Sequence, residues 1–245
     1  HRGLDVADDL VADAYDRLKA TAGVQPVIVK PYYWLVAVFN KKEGLMTNQK
    51  LRQAWQAALD IEPIMKTVAG GKSEFFRMDS SLAFQELPWH TKIAGLPWNE
   101  HNVDKAKRLL KESGYTGTPV RFMTTQEYKW MYDFALVSKQ QLEEVGFKID
   151  LQVMDWATLG QRRVQPKAYA GFTTGMGNFF DPTHHIYLGP NWPGWTDDEQ
   201  INSLMAQLAR ELDPKKRYAL WEQTTKLFYE KVPVARYGDL FGLRA

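Results

Sequence analysis

A chain of 245 residues, 44% hydrophobic and 24% charged, has enough apolar material to bury a sizeable core. Its net charge of +2 arises from interspersed acids and bases, which excludes a basic stripe for nucleic acid and an acidic disordered tail. Cysteine is absent, and disulfides, thiolate catalysis and zinc–sulfur sites are excluded with it. The longest apolar run, Tyr32 to Phe39, falls far short of the ~20 residues that span a bilayer. The charged opening "HRGLDVADDL" has no signal-peptide pattern, so the protein is either cytoplasmic or has lost a targeting segment.

In chain order, Asp8 to Lys19 predicts a helix with Leu10, Ala14 and Leu18 on one face. "VQPVIVKPYYWLVAVFN" is β-branched and aromatic, and reads as a long kinked strand. Asn48 to Ala69 carries the i, i+3, i+4, i+7 stripe of a buried helix in Leu51, Ala54, Trp55, Ala58 and Leu59, broken or restarted at Pro63. Residues Gly70 to Asn99 show no period, and a loop of that length is expected to cover a surface or serve an interaction. Asn102 then caps a helix that Gly114 ends.

"TPVRFMTT" predicts a strand, Gln126 to Glu144 a helix stopped at Gly146, and "FKIDLQVM" the most regular alternating strand. Asp155 to Arg163 follows as a helix and "AYAGFTT" as a short strand. Thr196 and Glu199 have the spacing of a capping box, and Asp213 with Pro214 begins the last helix. "VPVARYG" closes as a strand. Strand–helix–strand units of this kind predict one α/β domain with a largely parallel sheet.

Several motifs do not support chemistry. "AGGKS" lacks the first glycine of a phosphate loop, since Lys66 stands there, and its plain reading is a helix-ending glycine pair. Adjacent His184 and His185 point about 100° apart on a helix, and no H-E-x-x-H exists, so no metal ligand set is assigned. No G-x-S-x-G elbow is present. Carboxylate pairs are too numerous to single one out as catalytic.

The segment "TTGMGNFFDPTHHIYLG", Thr173 to Gly189, remains. It follows a predicted strand, and in open α/β sheets ligands sit beyond the carboxyl ends of strands. Thr125 to Tyr128 would share that edge, as would Asn40 if its strand, which starts near Tyr33, runs parallel to the others. Asn178, Phe179 and Asp181 are the ligand-contact candidates within the segment. A turn in which Asp181 merely caps a helix starting at Pro182 is the alternative.

The order of these pieces resembles one family. "YYWLVAVFNKKEGLMTNQKLRQAWQAALDIEPIMKTVAGG" is similar to the hinge strand, Asn and Arg-Gln-Ala helix of family 5 extracellular solute-binding proteins, the peptide, nickel and related receptors of ABC importers. "NVDKAKRLLKESGY", "KQQLEEVGFKIDLQVMDWATL", "FFDP" and "INSLMAQLARELDPKKRYALWEQTTKLFYEKVPVARY" follow in the family's order, and "GLDVADDL" resembles its segment before the crossover.

The resemblance implies an α/β fold: a single lobe of a type II periplasmic-binding-protein-like architecture, with a mixed, mostly parallel sheet and helices on both faces. Residues 1–245 would form the C-terminal lobe of a bilobal protein about twice as long, with 1–30 and 232–245 as crossover or edge segments. The implied partners are a small polar solute (peptide, sugar or opine-like), the N-terminal lobe and an ABC permease. Neither cofactor, nucleic acid nor catalysis is implied. The implied location is extracytoplasmic, periplasmic or lipid-anchored, with any signal upstream of Leu4. Ligand contact is expected at Asn178, Phe179, Asp181, Asn40, Tyr33, Thr125 and Tyr128.

Peptide-binding members carry an Asp three residues before the Asp-Pro pair, where it meets the ligand's terminal amine. The matching position here is Asn178, and the usual preceding Trp is replaced by Gly175 and Met176. A neutral amide cannot supply the ion pair that a buried ammonium requires. Two other function classes remain as alternatives: a carbohydrate-active or other hydrolytic enzyme domain, and an engineered or natural scaffold that self-associates through its exposed apolar strip.

Overall fold

The computed structural model describes residues 6–8 and 10–245. Its central strand is β1 (Val27–Phe39), from which Trp34, Val36 and Val38 enter one core and Leu35, Ala37 and Phe39 the other. All six are fully buried, which explains why the strand reads as a continuous apolar run rather than an alternating one. β5 (Gly171–Met176) and β6 (Val234–Arg244) flank it, both antiparallel to it. The two-residue β2 (Phe76–Arg77) lies outside β6, while β3 (Val120–Thr124) and β4 (Ile149–Val153) extend the other side in parallel. The sheet order is β2-β6-β1-β5-β3-β4.

Helices cover both faces. α2 (Gln49–Ala58), α3 (Ile61–Val68), α4 (Val103–Glu112) and α5 (Lys129–Glu144) place Trp55, Ile64, Ala106 and Phe134 against the Leu35 face. α6 (Trp156–Arg162), α7 (Glu199–Arg210) and α8 (Pro214–Lys231) place Leu159, Ile201 and Trp221 against the Trp34 face. The long irregular segment covers this second face by burying its own Leu82, Ala83 and Phe84 completely. No helix among the described residues is long and apolar enough to cross a membrane.

Local signals explain most helix ends. Asn48, Asn102, Asp155 and Asp213 each accept a hydrogen bond from the backbone N–H three residues on, the standard relief for unpaired first-turn donors. Gly114 (φ 75°) and Gly146 (φ 107°) take the left-handed backbone that ends α4 and α5. The helix predicted from Asn48 restarts at Ile61, with Pro63 in the first turn of α3. Gly70 and Gly71, both left-handed, follow α3 as a helix-ending pair.

Three expectations change. The sheet is mixed rather than mostly parallel, because β1 pairs antiparallel with both β5 and β6 and β2 with β6, leaving only the β3–β4 and β3–β5 pairs parallel. The first helix begins later than Asp8: a 3₁₀ turn spans Ala12–Ala14 and α1 spans Tyr15–Lys19. Leu10 instead pairs with Leu243 as an isolated bridge, and Asp9 lies outside the described residues, as do residues 3–5 of "GLDVADDL". The Thr196–Glu199 capping box does not form. Asp198 accepts from the N–H groups of Gln200 and Ile201, because the Thr196 hydroxyl is drawn away to donate to the Tyr187 carbonyl at 2.6 Å.

β6 carries a bulge. Asp239 lies opposite Trp34 and Arg236 opposite Val36, so Tyr237 and Gly238 together face Leu35. Residues three apart on a regular strand point to opposite faces; the extra residue turns Arg236 and Asp239 to the same one. They meet at 2.6 Å, both buried, and Arg77 brings a second guanidinium to Asp239 at 2.8 Å. Burial raises the Asp239 pKa even against these two cations. Above this knot the β1–β6 ribbon continues to Val27 and Arg244, beyond which Ala7 and Ala245 exchange backbone hydrogen bonds of 2.7 and 3.0 Å.

Candidate functional site

The carboxyl ends of β3, β4 and β5 share one sheet edge, and the start of β1 lies there too because β1 runs against β5. Four aromatic rings collect at this edge. Trp130, in the first turn of α5, stacks on Tyr33 of β1 with ring centroids 5.7 Å apart and planes 30° apart. Tyr128, just before α5, lies 6.1 Å from Trp130 and 5.3 Å from Trp156, which opens α6 after β4. Offset and edge-on ring packing of this kind is favourable and leaves ring surface for a ligand.

Gly175 gives the band room to close. A Cβ there would stand 3.1 Å from Tyr33 and 3.2 Å from Trp130, close enough that the rings would have to give by a few tenths of an ångström. The glycine therefore lets the rings close over β5. Beside them lies a cavity of about 140 Å³, whose lining includes Tyr128, Trp130, Gln126, Tyr32, Asp13 and Phe241.

The expected contact residues divide. Tyr33 and Tyr128 belong to the aromatic band, and Asn178 is exposed two residues beyond β5. Thr125 is at the edge but fully buried, and its hydroxyl oxygen accepts from the Glu127 N–H in a local turn. Phe179 points inward: it is 4% exposed and packs against His185 and Trp221. Its neighbour Phe180 is 85% exposed.

Asp181 is committed to structure. It accepts from the Thr183 N–H at the start of a 3₁₀ turn and pairs with Arg217 of α8 at 2.7 Å. Partial burial opposes its ionisation, but Thr183 and Arg217 outweigh that and hold the carboxyl below its ordinary range. Trp89 donates to the Phe180 carbonyl at 3.0 Å and also lies under the Arg217 guanidinium. These contacts fix the loop that carries Asn178.

Asn40 is at the other end of the sheet. β1 runs antiparallel to β5, pairing Phe39 with Gly171, so Asn40 sits beside the start of β5 rather than its end. Its amide is spent on the backbone, donating to Pro166 and Tyr169 carbonyls and accepting from Lys42 and Glu43 N–H groups. It does not join the candidate site.

Trp130 and Trp156 are the residues that sequence reasoning missed. Trp130 reads as one more inward residue of an apolar stripe; its position in the first turn after a parallel strand was the available signal. The paired histidines separate, with His184 exposed and His185 buried among Trp34, Phe179, Tyr187, Trp221 and Phe228. Burial drives the His185 pKa down to about 3. Among the described residues no three His, Cys, Asp or Glu side chains gather as a metal would require.

A mixed sheet between helical layers, with Ala7 beside Ala245 and an aromatic edge at its strand ends, has the form of one lobe of a solute-binding protein. The family model for bacterial extracellular solute-binding proteins, family 5 (Middle), matches residues 1–203, and the chain belongs to that family. It is 30% identical over 142 residues to the oligopeptide-binding protein AppA of Bacillus subtilis, covering 52% of this chain and 25% of that protein. Its fold is similar to the ABC transporter substrate-binding protein CtaP of Listeria monocytogenes, with TM-score 0.86, 21% identity, and coverage of 98% of this chain and 50% of that one. The crystal structure of Bacillus subtilis AppA in complex with a nonapeptide gives TM-score 0.84, 21% identity, and coverage of 96% and 50%. The chain thus spans a quarter of the curated relative's length and about half of each solved structure.

Proposed function

We propose that this chain is the C-terminal, ligand-contacting lobe of an extracytoplasmic receptor that delivers a peptide-like or similarly polar solute to an ABC permease. The lobe holds its solute without altering it. The aromatic band of Tyr33, Tyr128, Trp130 and Trp156, closed over Gly175, is the observation that carries this reading. Family membership and the oligopeptide-binding character of AppA support the solute class.

The recognised end of the solute is uncharged. Asn178 presents a neutral amide at the loop tip, and the nearby carboxylate of Asp181 is already neutralised by Arg217. A desolvated ammonium there would lack a counter-ion. Rings and amides suit an apolar side chain, a sugar face or a blocked peptide terminus.

The test titrates the 245-residue chain with a tripeptide and its N-acetylated form while following indole N–H resonances by NMR. The reading expects the Trp130 and Trp156 signals to move, and to move at lower concentrations of the acetylated peptide. Shifts confined to tryptophans away from the band would overturn the site, and a preference for the free amine would overturn the uncharged-end assignment.

A further inference from the structure

At the opposite edge of the sheet, Lys41 lies two residues beyond β1 and its Nζ turns back onto the backbone. It donates to the carbonyls of Phe39 at 2.8 Å and Pro233 at 2.7 Å. It also lines a cavity of about 240 Å³ together with Arg52, Trp195, Thr196, Asp198 and Lys231. We propose that Lys41 is a nucleophilic amine that captures small neutral aldehydes as an imine within this cavity. The inference is independent of the solute reading, since the two sites occupy opposite sheet edges.

The two contacts of Nζ match the donor count of a neutral amine. A neutral amine has two N–H groups and one lone pair. The two carbonyls take both N–H groups, and the lone pair is left for the cavity.

The charged groups facing Lys41 do not neutralise it. Asp198 caps α7 and meets Lys231 at 3.3 Å, and Asp197 accepts from the Asn202 amide at 2.8 Å. Arg52, on α2, adds a like charge whose own N–H groups are spent on the carbonyls of Met46, Thr47, Lys231 and Val232. Burial first, and Arg52 second, push the Lys41 pKa well below the ordinary lysine value. Lysines activated by desolvation and a cationic neighbour are the usual Schiff-base formers.

The chemistry balances without a further reagent. The Lys41 nitrogen lone pair attacks the aldehyde carbon, and the carbonyl π pair moves to oxygen, which takes up the proton released by nitrogen. The carbinolamine then loses water, forming the C=N bond. An uncharged aldehyde fits because the ions of the cavity are already matched to one another, Lys231 with Asp198 and Arg52 with carbonyls.

The 245-residue chain is incubated with glycolaldehyde and cyanoborohydride, whose hydride traps the imine as a secondary amine, and modified lysines are mapped by mass spectrometry. Exposed Lys107 serves as the internal reference. Each unit of pKa lowering multiplies the free-amine fraction at neutral pH about tenfold. Lys41 is therefore expected to be labelled at least about tenfold faster than Lys107 at pH 7, with the ratio shrinking toward pH 10. The Lys41→Arg variant, checked for folding by circular dichroism, should lose the fast-labelled peptide alone. Labelling of Lys41 no faster than Lys107 at pH 7, or a ratio that does not change with pH, overturns the proposal in the unmodified chain whether or not the variant folds.

Discussion

The two edges of the sheet use polar residues in opposite ways. At the edge bearing Lys41 and Asn40, side chains stitch the backbone together: Arg52 alone caps carbonyls of Met46, Thr47, Lys231 and Val232. At the edge bearing Tyr33 and Trp130, aromatic rings dominate and Asn178 stays exposed. A polar residue at a strand end is thus no evidence of ligand contact by itself. Its hydrogen bonds decide.

The largest expected effect concerns His185, which anchors the loop under the aromatic edge. Its folded pKa, about 3, lies below the ordinary ~6.5, so the unfolded chain takes up a proton first as pH falls. The stability it contributes is complete above about pH 6.5 and is lost progressively toward pH 3, by up to ~1.4 kcal/mol per pH unit. Urea denaturation of His185→Phe across this window should show a shallower acid limb than the parent chain. Equal slopes would mean that the ring is not held neutral.

Next, Arg52→Met strips the other edge of its carbonyl cap and should cost ~3 kcal/mol, read as a drop in the urea midpoint. Chemical shifts of the aromatic edge should persist in the folded fraction. If the Trp130 indole signal moved as well, the two edges would not be independent.

Gly175→Ala drives a methyl into Tyr33 and Trp130, and a cost of ~1–2 kcal/mol is expected from overpacking. The same variant should weaken solute binding more than it weakens folding. Unchanged binding would remove the band from the site.

The smallest effect is assigned to Asp181→Asn. The ion pair with Arg217 is partly solvated, with both side chains about a quarter exposed, so its loss should cost no more than about 1 kcal/mol. Solute preference should stay as it was, because Asp181 acts through the loop. A change in preference toward anionic solutes would place it in the site instead.

How much of this was readable in the residues depended on range. Caps at Asn102 and Asp213 and the existence of the β4 strand are local, and local patterns predicted them, although the burial of β4 does not follow its alternation. Thr196 failed as a cap because a contact nine residues back, to the Tyr187 carbonyl, competed for its hydroxyl. Asn40 would share the site edge only if β1 ran parallel to β5, and the pairing is antiparallel; strand direction is set by which strands pair, and periodicity carries no sign for that. The aromatic band joins β1 to the starts of α5 and α6, residues a hundred positions apart, so only the folded sheet assembles it.

The bulge in β6 imposes a constraint of arithmetic rather than of chemistry. Removing Gly238 would keep both Arg236 and Asp239 in the chain yet send them to opposite sides of the sheet. Every side chain from Asp239 to Leu243, all of them buried, would then move to the opposite face of the sheet and meet neighbours shaped for another residue. In this stretch, how many residues there are matters as much as which ones.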